Sequence, residues 1–183
     1  MIRLKKLLQE LSESNLKTIL RKINSSEFKF IGQGDNSRVY KVNNEDIVFK
    51  ITTSTDELEV ARKIQNKLNE YSTFIPVYYV GNYKNESDEI IIMSNAEQLD
   101  SNKKRLIDEF HDQFKQFAYN EGGEVSVFDF LDSASNVNPL LENFLRALQQ
   151  DINKLAIPDL DLDLDFRSDN VMIWSGKMVM VDW

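Results

Sequence analysis

The chain has 183 residues, 42% hydrophobic and 28% charged, enough to bury a sizeable core in one domain or in two small lobes, and its composition is neither disordered nor fibrous. A formal net charge of −8 argues against nucleic-acid binding through phosphate contacts and against binding to anionic membranes, since both need a basic face. With no cysteine there is neither a disulfide framework nor thiolate chemistry, and we expect a cytoplasmic protein.

The opening MIRLKKLLQELSES has no uninterrupted apolar core and no small-residue cleavage site, and no apolar run reaches the ~20 residues of a membrane span. Leu4, Leu7, Leu8 and Leu11 recur at helical spacing, as do Leu16, Ile19, Leu20 and Ile23, which predicts two short amphipathic helices that pack onto whatever sheet follows. Strands are expected at Phe28 to Ile31, Val39 to Val42 and, after the turn residues Asn43 to Asp46, Ile47 to Thr52. A helix follows from Asp56 toward Tyr71, with Leu58, Val60, Ala61, Ile64 and Leu68 on one face and Thr55 or Asp56 as N-cap. Two more strands, Ile75 to Val80 and Glu89 to Met93, flank a polar turn.

The remainder reads as mostly helical. Leu106, Ile107, Phe110, Phe114 and Phe117 form one apolar stripe, stopped by Gly122 and Gly123. Phe128 to Leu131 reads as a helical turn. Pro139, behind Asn136 or Asn138, opens a helix with Leu140, Leu141, Phe144, Leu145, Leu148, Ile152 and Leu155 inward. The alternating Asp159, Asp161, Asp163 and Asp165 do not form a calcium loop, because Leu164 and Asn170 stand where an EF-hand needs glycine and glutamate. A short strand with one solvated face accounts for them better. His111, the only histidine, is expected at the surface or partly packed.

Two motifs carry chemistry. Near the end, DLDFRSDNVMI places four residues between Asp165 and Asn170, and two strand-like segments joined at Ser175 and Gly176 lead to VDW with Asp182. This resembles the catalytic loop and metal-binding Asp of the protein kinase-like superfamily, in the order and roughly the spacing that family uses. Upstream, IGQGDNSRVYKV followed by IVFK resembles the family's glycine-rich loop, hairpin and lysine strand. The similarity covers Phe28 to Trp183, and the closing VDW, without the glycine of DFG, is more similar to aminoglycoside- and choline-type phosphotransferases.

The resemblance implies an α+β, two-lobed fold: an N-terminal helical extension at 1–27, a small antiparallel-sheet lobe at 28–97 and a reduced, mostly helical large lobe at 98–183. It also implies site residues. Gly32, Gly34 and Ser37, which stands in place of the third glycine, would approach the phosphates of ATP. Val39, Val48, Met93, Asn95 and Met172 would border the nucleotide. Lys50 would bind phosphate, held by Glu57 or, in reserve, Glu59. Asp165 would accept or orient the acceptor hydroxyl proton, and Arg167 would neutralise transferring phosphate. Asn170 and Asp182 would hold Mg²⁺.

The expectation is therefore a Mg²⁺-ATP-dependent phosphotransferase acting on a hydroxyl of a protein or small molecule. The alternative is a pseudokinase, a nucleotide-binding or interaction module. The sequence shows no activation segment and no peptide-docking platform after Asp182, so the apolar helices of the large lobe are expected to be covered by self-association or by a protein partner.

Overall fold

In the computed structural model the described residues are 12–34, 37–67, 70–83, 88–123, 125–157 and 164–182. The first expected helix and the acidic run before Leu164 lie outside them. The chain divides into two compact units, Met1–Leu68 with Pro76–Asn95, and Asn69–Ile75 with Ala96–Trp183.

The first unit is built on a five-stranded antiparallel sheet. Helix α1 (Glu13–Asn24) is capped by the Ser12 hydroxyl and leads into β1 (Phe28–Gln33), β2 (Ser37–Val42) and β3 (Ile47–Thr52). Helix α2 (Thr55–Ile64) precedes β4 (Val77–Asn82) and β5 (Glu89–Ser94), and the sheet order is β1-β2-β3-β5-β4. Strand β3 lies in the middle and is buried along its whole length, as its near-continuous apolar IVFKIT requires. One sheet face carries Val42, Ile47, Phe49, Ile51, Ile90 and Ile92, and α1 covers it with Ile19 and Ile23. Burial of each of these two isoleucines contributes about 1.5–3 kcal/mol, so α1 is part of the sheet's core rather than an appendage.

Helix α2 packs on β4 and β5. It differs from expectation at both ends. Its N-cap is Ser54, whose hydroxyl accepts from the Glu57 amide, rather than Thr55 or Asp56. It stops at Ile64, where Gln65 leaves the helical conformation and Asn66 takes a positive φ of 58°. The amide of Asn66 then bonds to the Val77 carbonyl, a long-range contact that no local pattern could register.

The second unit is mostly helical: α3 (Ser101–Glu121), α4 (Val127–Ser133) and α5 (Pro139–Leu155), followed by the hairpin of β6 (Val171–Trp174) and β7 (Lys177–Met180). Asp100 caps α3, and Gly122, at φ 93°, ends it in the left-handed conformation that favours glycine. The expected helical turn at Phe128 is a complete short helix with a Ser126–Asp129 capping box. Of the two candidate caps for α5, Asn138 is the one used.

Two stripes are narrower than the sequence implies. On α3, Ile107 and Phe110 are buried while Leu106, Phe114 and Phe117 are half-buried. On α5, Leu140 is 51% exposed instead of inward, because it lies in the first turn, before the helix meets its neighbours. The α+β architecture, with a small antiparallel sheet and a mostly helical remainder, is the one the kinase-like resemblance implies.

Candidate functional site

Cross-strand register, rather than any local motif, gathers the first group of residues. Val48 and Lys50 share a face of β3 because strand side chains alternate. Val39 of β2 lies opposite Lys50, Gly32 of β1 opposite Val39, and Met93 of β5 opposite Val48. Directly opposed residues of antiparallel strands point to the same side, so Val39, Val48, Lys50 and Met93 share the face that α1 does not cover.

Lys50 is the single charged side chain of β3, and its ammonium forms an ion pair with Glu57 of α2. The two side chains are 5% and 4% exposed. Glu59, the reserve, points to solvent and pairs with Lys63 at 3.6 Å. Helical geometry explains the choice: Glu57 sits three residues before Val60 and four before Ala61, both buried, which turns it toward the sheet.

The β1–β2 turn departs from an open phosphate cradle. The Gly34 amide donates to the Ser37 carbonyl at 2.9 Å, and a side chain at Gly34 would meet the Ser37 hydroxyl at 3.1 Å. Nothing lies within 4 Å of where a Gly32 side chain would start. Ser37 and Gly34 also line a hollow of about 200 Å³ with Arg38, Thr52 and Asp88. Asn95 is committed to the β2–β3 turn, its amide donating to the Asp46 carbonyl at 3.1 Å and its side chain to the Asp46 carboxylate at 3.2 Å. No sign of this partner stands in the sequence, where Asp46 reads as an ordinary turn acid.

In the second unit the loop from Leu164 to Asn170 alternates. Leu164, Phe166, Ser168 and Asn170 are buried, and Asp165, Arg167 and Asp169 face solvent. Phe166 anchors it, edge-on to Phe110 of α3 at 6.0 Å between ring centres and tilted against Phe144 of α5 at 6.2 Å. With that ring fixed, tight backbone bonds from Phe166 to the Leu164 carbonyl and from Arg167 to the Asp165 carbonyl hold the Asp165 carboxylate outward.

Asn170 organises the loop. Its side-chain amide donates to the Asp165 carbonyl at 2.8 Å and to Asp165 Oδ2 at 3.1 Å. Arg167 pairs with the same oxygen. The Asn170 carbonyl accepts from the Val181 amide at 2.9 Å, which fastens the segment carrying Asp182 to the end of the 164–170 loop. The other side of that segment is held by Thr73, whose carbonyl accepts from the Met180 amide at 2.7 Å. Thr73 also gave no signal in the sequence, because its role is carried by a backbone carbonyl.

The donor set suits Mg²⁺. With its NH₂ committed to Asp165, Asn170 has its amide oxygen to offer, and Asp182 brings a carboxylate. Among the described residues no group of three or more His, Cys, Asp or Glu is placed to hold a metal, so an all-protein cage is not formed. Magnesium takes one or two protein oxygens and leans on water and phosphate, and an amide oxygen and a carboxylate are donors of the type it uses. Met172 lines a hollow of about 100 Å³ with Gln98, Leu99, Lys104, Ser168, Asp169 and Val171. Both hollows are smaller than the ~300 Å³ at which ligand pockets begin.

His111 of α3 is partly buried, and both ring nitrogens are shielded from water. Desolvation, reinforced by Lys115, holds its pKa below the ordinary 6.5, while Asp165, the Phe166 backbone and Asp112 oppose the shift. No described helix is long and apolar enough to cross a membrane.

No protein-family model matches the chain, and no curated protein does. Among solved structures it is similar to the aminoglycoside phosphotransferase APH(4)-Ia, at 15% identity and a TM-score of 0.44 over 93% of this chain and 70% of that one. A second structure of a thermostable form of that enzyme, in ternary complex with AMP-PNP and hygromycin B, matches at 19% identity and a TM-score of 0.34, over 48% of this chain and 31% of that one. The streptomycin–ATP complex of APH(2")-IIa matches at 17% and 0.33, over 96% of this chain and 71% of that one. The chain thus spans only part of each of these proteins, and similarity at this level carries no statement about substrate.

Proposed function

We propose that the protein is a Mg²⁺-ATP-dependent phosphotransferase that moves the γ-phosphate to a hydroxyl of a protein or small molecule. The observation that carries this reading is the sealed Lys50–Glu57 pair on the sheet face that also bears Val39, Val48 and Met93. A buried ammonium paired with a buried carboxylate is costly for stability alone, and phosphate recognition gives it a use.

Under this reading Lys50 binds phosphate oxygens and Glu57 fixes its position. Val39, Val48 and Met93 give the base an apolar surface. Gly32, with open space around it, lets the β1 backbone approach a phosphate, and Ser37 offers a hydroxyl. Asn170 and Asp182 would hold Mg²⁺, which when bound neutralises charge on the phosphates. Asp165, solvent-facing and steadied by Asn170, orients the acceptor hydroxyl and takes its proton. Arg167 leaves Asp165 to meet the transferring phosphate, a motion open to a side chain that is 54% exposed.

A second reading, nucleotide binding without transfer, has two observations in its favour. Asp165 Oδ2 already holds both Asn170 and Arg167, and the Gly34 amide is used inside its own hairpin. Thermal unfolding with and without millimolar Mg²⁺-ATP, followed by transfer assays with labelled ATP, separates the two. The acceptors to offer are the protein itself and hydroxylated small molecules, hygromycin B and streptomycin among them. We expect a raised melting temperature, by mass action, and labelled product. Stabilisation without product favours the second reading, and no stabilisation overturns both. Light scattering on the same samples reads self-association.

A further inference from the structure

Asp151 is 2% exposed and lies on the apolar stripe of α5, between Leu148 and Ile152. A carboxylate at such a position is tolerated only when its oxygens are met by donors. Here they are. Oδ2 accepts from the Ser72 amide at 2.7 Å, the Thr73 amide at 3.0 Å and the Thr73 hydroxyl at 2.9 Å, with the Ser72 hydroxyl at 3.4 Å. Oδ1 accepts from Lys154 at 2.7 Å, and the Lys154 ammonium also reaches the Glu70 carbonyl at 3.3 Å. None of the chemistry proposed above uses this group.

What the clamp holds is informative. The Thr73 carbonyl, one peptide on from the amide that Asp151 binds, accepts from Met180 at the end of β7, and the Met180 carbonyl accepts in turn from the Ile75 amide at 2.9 Å. The next amide, Val181, donates to the Asn170 carbonyl. The β7 exit is therefore pinned between the 72–75 segment and Asn170 immediately before Asp182. Through these bonds the Asp151 carboxylate joins the 72–75 segment to α5.

We propose that Asp151 is a positioning residue for the metal-binding pair: by fixing Ser72 and Thr73 it sets the register of the β7 exit, and so the place of Asp182 relative to Asn170. This rests on the phosphotransferase reading for its consequence, though not for the clamp itself. Loss of the carboxylate leaves two backbone amides without their acceptor and frees the segment on which Met180 is docked.

The test uses the full chain with Asp151→Ala and Asp151→Asn, the latter retaining one carbonyl oxygen for the two amides. Two quantities are read: amide hydrogen exchange at Met180 and Val181 compared with β3, and the apparent Mg²⁺ affinity in the presence of ATP compared with ATP affinity in metal-free buffer. We expect Asp151→Ala to speed exchange at Met180 and Val181 at least tenfold with β3 unchanged. Mg²⁺ affinity should weaken by about 10–100-fold, as on losing an outer support of a metal site, with metal-free ATP affinity retained. Asp151→Asn should recover most of both, and if the alanine variant does not fold, it is read alone against wild type with a smaller loss in the same direction. Unchanged protection at Met180 and Val181, or equal loosening of β3 and β7, overturns the inference. A wild-type protein with no Mg²⁺-dependent stabilisation by ATP would instead overturn the phosphotransferase reading, and the exchange measurement would still decide whether Asp151 holds the β7 exit.

Discussion

Two ion pairs, one in each unit, have the same chemistry and opposite settings. Lys50 and Glu57 are sealed, at 5% and 4% exposure, between a fully buried strand and the first turn of α2. Asp165 and Arg167 are 48% and 54% exposed on a loop whose buried residues are the ones in between. The difference in water decides what each contact does. A sealed pair cannot exchange its partner for solvent, so it is part of the fold, and losing one member leaves a buried charge without that counter-ion. An open pair is worth at most about 1 kcal/mol, so its members can leave one another and engage a third group. The first fixes a position. The second keeps charges available.

The largest effect that can break this comparison is on stability. Glu57→Ala or Lys50→Ala should each destabilise the protein by about 3–5 kcal/mol, while the double replacement Lys50→Met with Glu57→Leu should recover most of that loss and, if the proposed function holds, abolish ATP binding. Chemical denaturation of the three variants checks it. Equal losses in the single and double variants would mean that the pair is not coupled.

The open pair should behave in the opposite way. Arg167→Ala and Asp165→Asn are each expected to change unfolding free energy by less than about 1 kcal/mol. If the proposed chemistry holds, Asp165→Asn lowers transfer by at least ~10²-fold, the usual contribution of a positioned base, with ATP binding retained. Turnover equal to wild type would remove Asp165 from its role. A stability loss as large as that of the sealed pair would remove the contrast itself.

The smallest effect concerns His111, whose surroundings mix the two settings: a partly buried ring with shielded nitrogens beside an exposed Asp165. Because its folded-state pKa lies below the ordinary 6.5, the unfolded chain binds more protons as pH drops. The stability it contributes is present above pH ~6.5 and is lost as pH falls through the lower folded-state value. His111→Gln should flatten the fall in melting temperature on acidification within that window. An unchanged profile would show that the ring is not desolvated as described.

How much of this was legible beforehand varies by residue. The helix at Leu16 to Ile23, the IVFK strand and the proline-initiated helix are written in local periodicity and capping chemistry, and all three are present. Their ends were not. Ser54 displaced Thr55 and Asp56 as the cap, and α2 stopped at Ile64 although apolar spacing continued, because the Asn66 amide bonds to Val77 across the unit. Leu140 fits its helix's apolar period but lies beyond the packed part of α5.

Sequence by itself determined the types of group at the candidate site, since alternation puts Val48 and Lys50 on one face and the aspartate–asparagine spacing survives any arrangement of the rest. Only tertiary structure brought Val39 and Met93 to the Lys50 face, tied Asn95 to Asp46 and set Asp151 against Ser72 and Thr73. Each of those depends on strand register or on a backbone amide distant in the chain. Backbone groups are chemically alike at every position, so which of them becomes a partner is decided by packing rather than by residue identity.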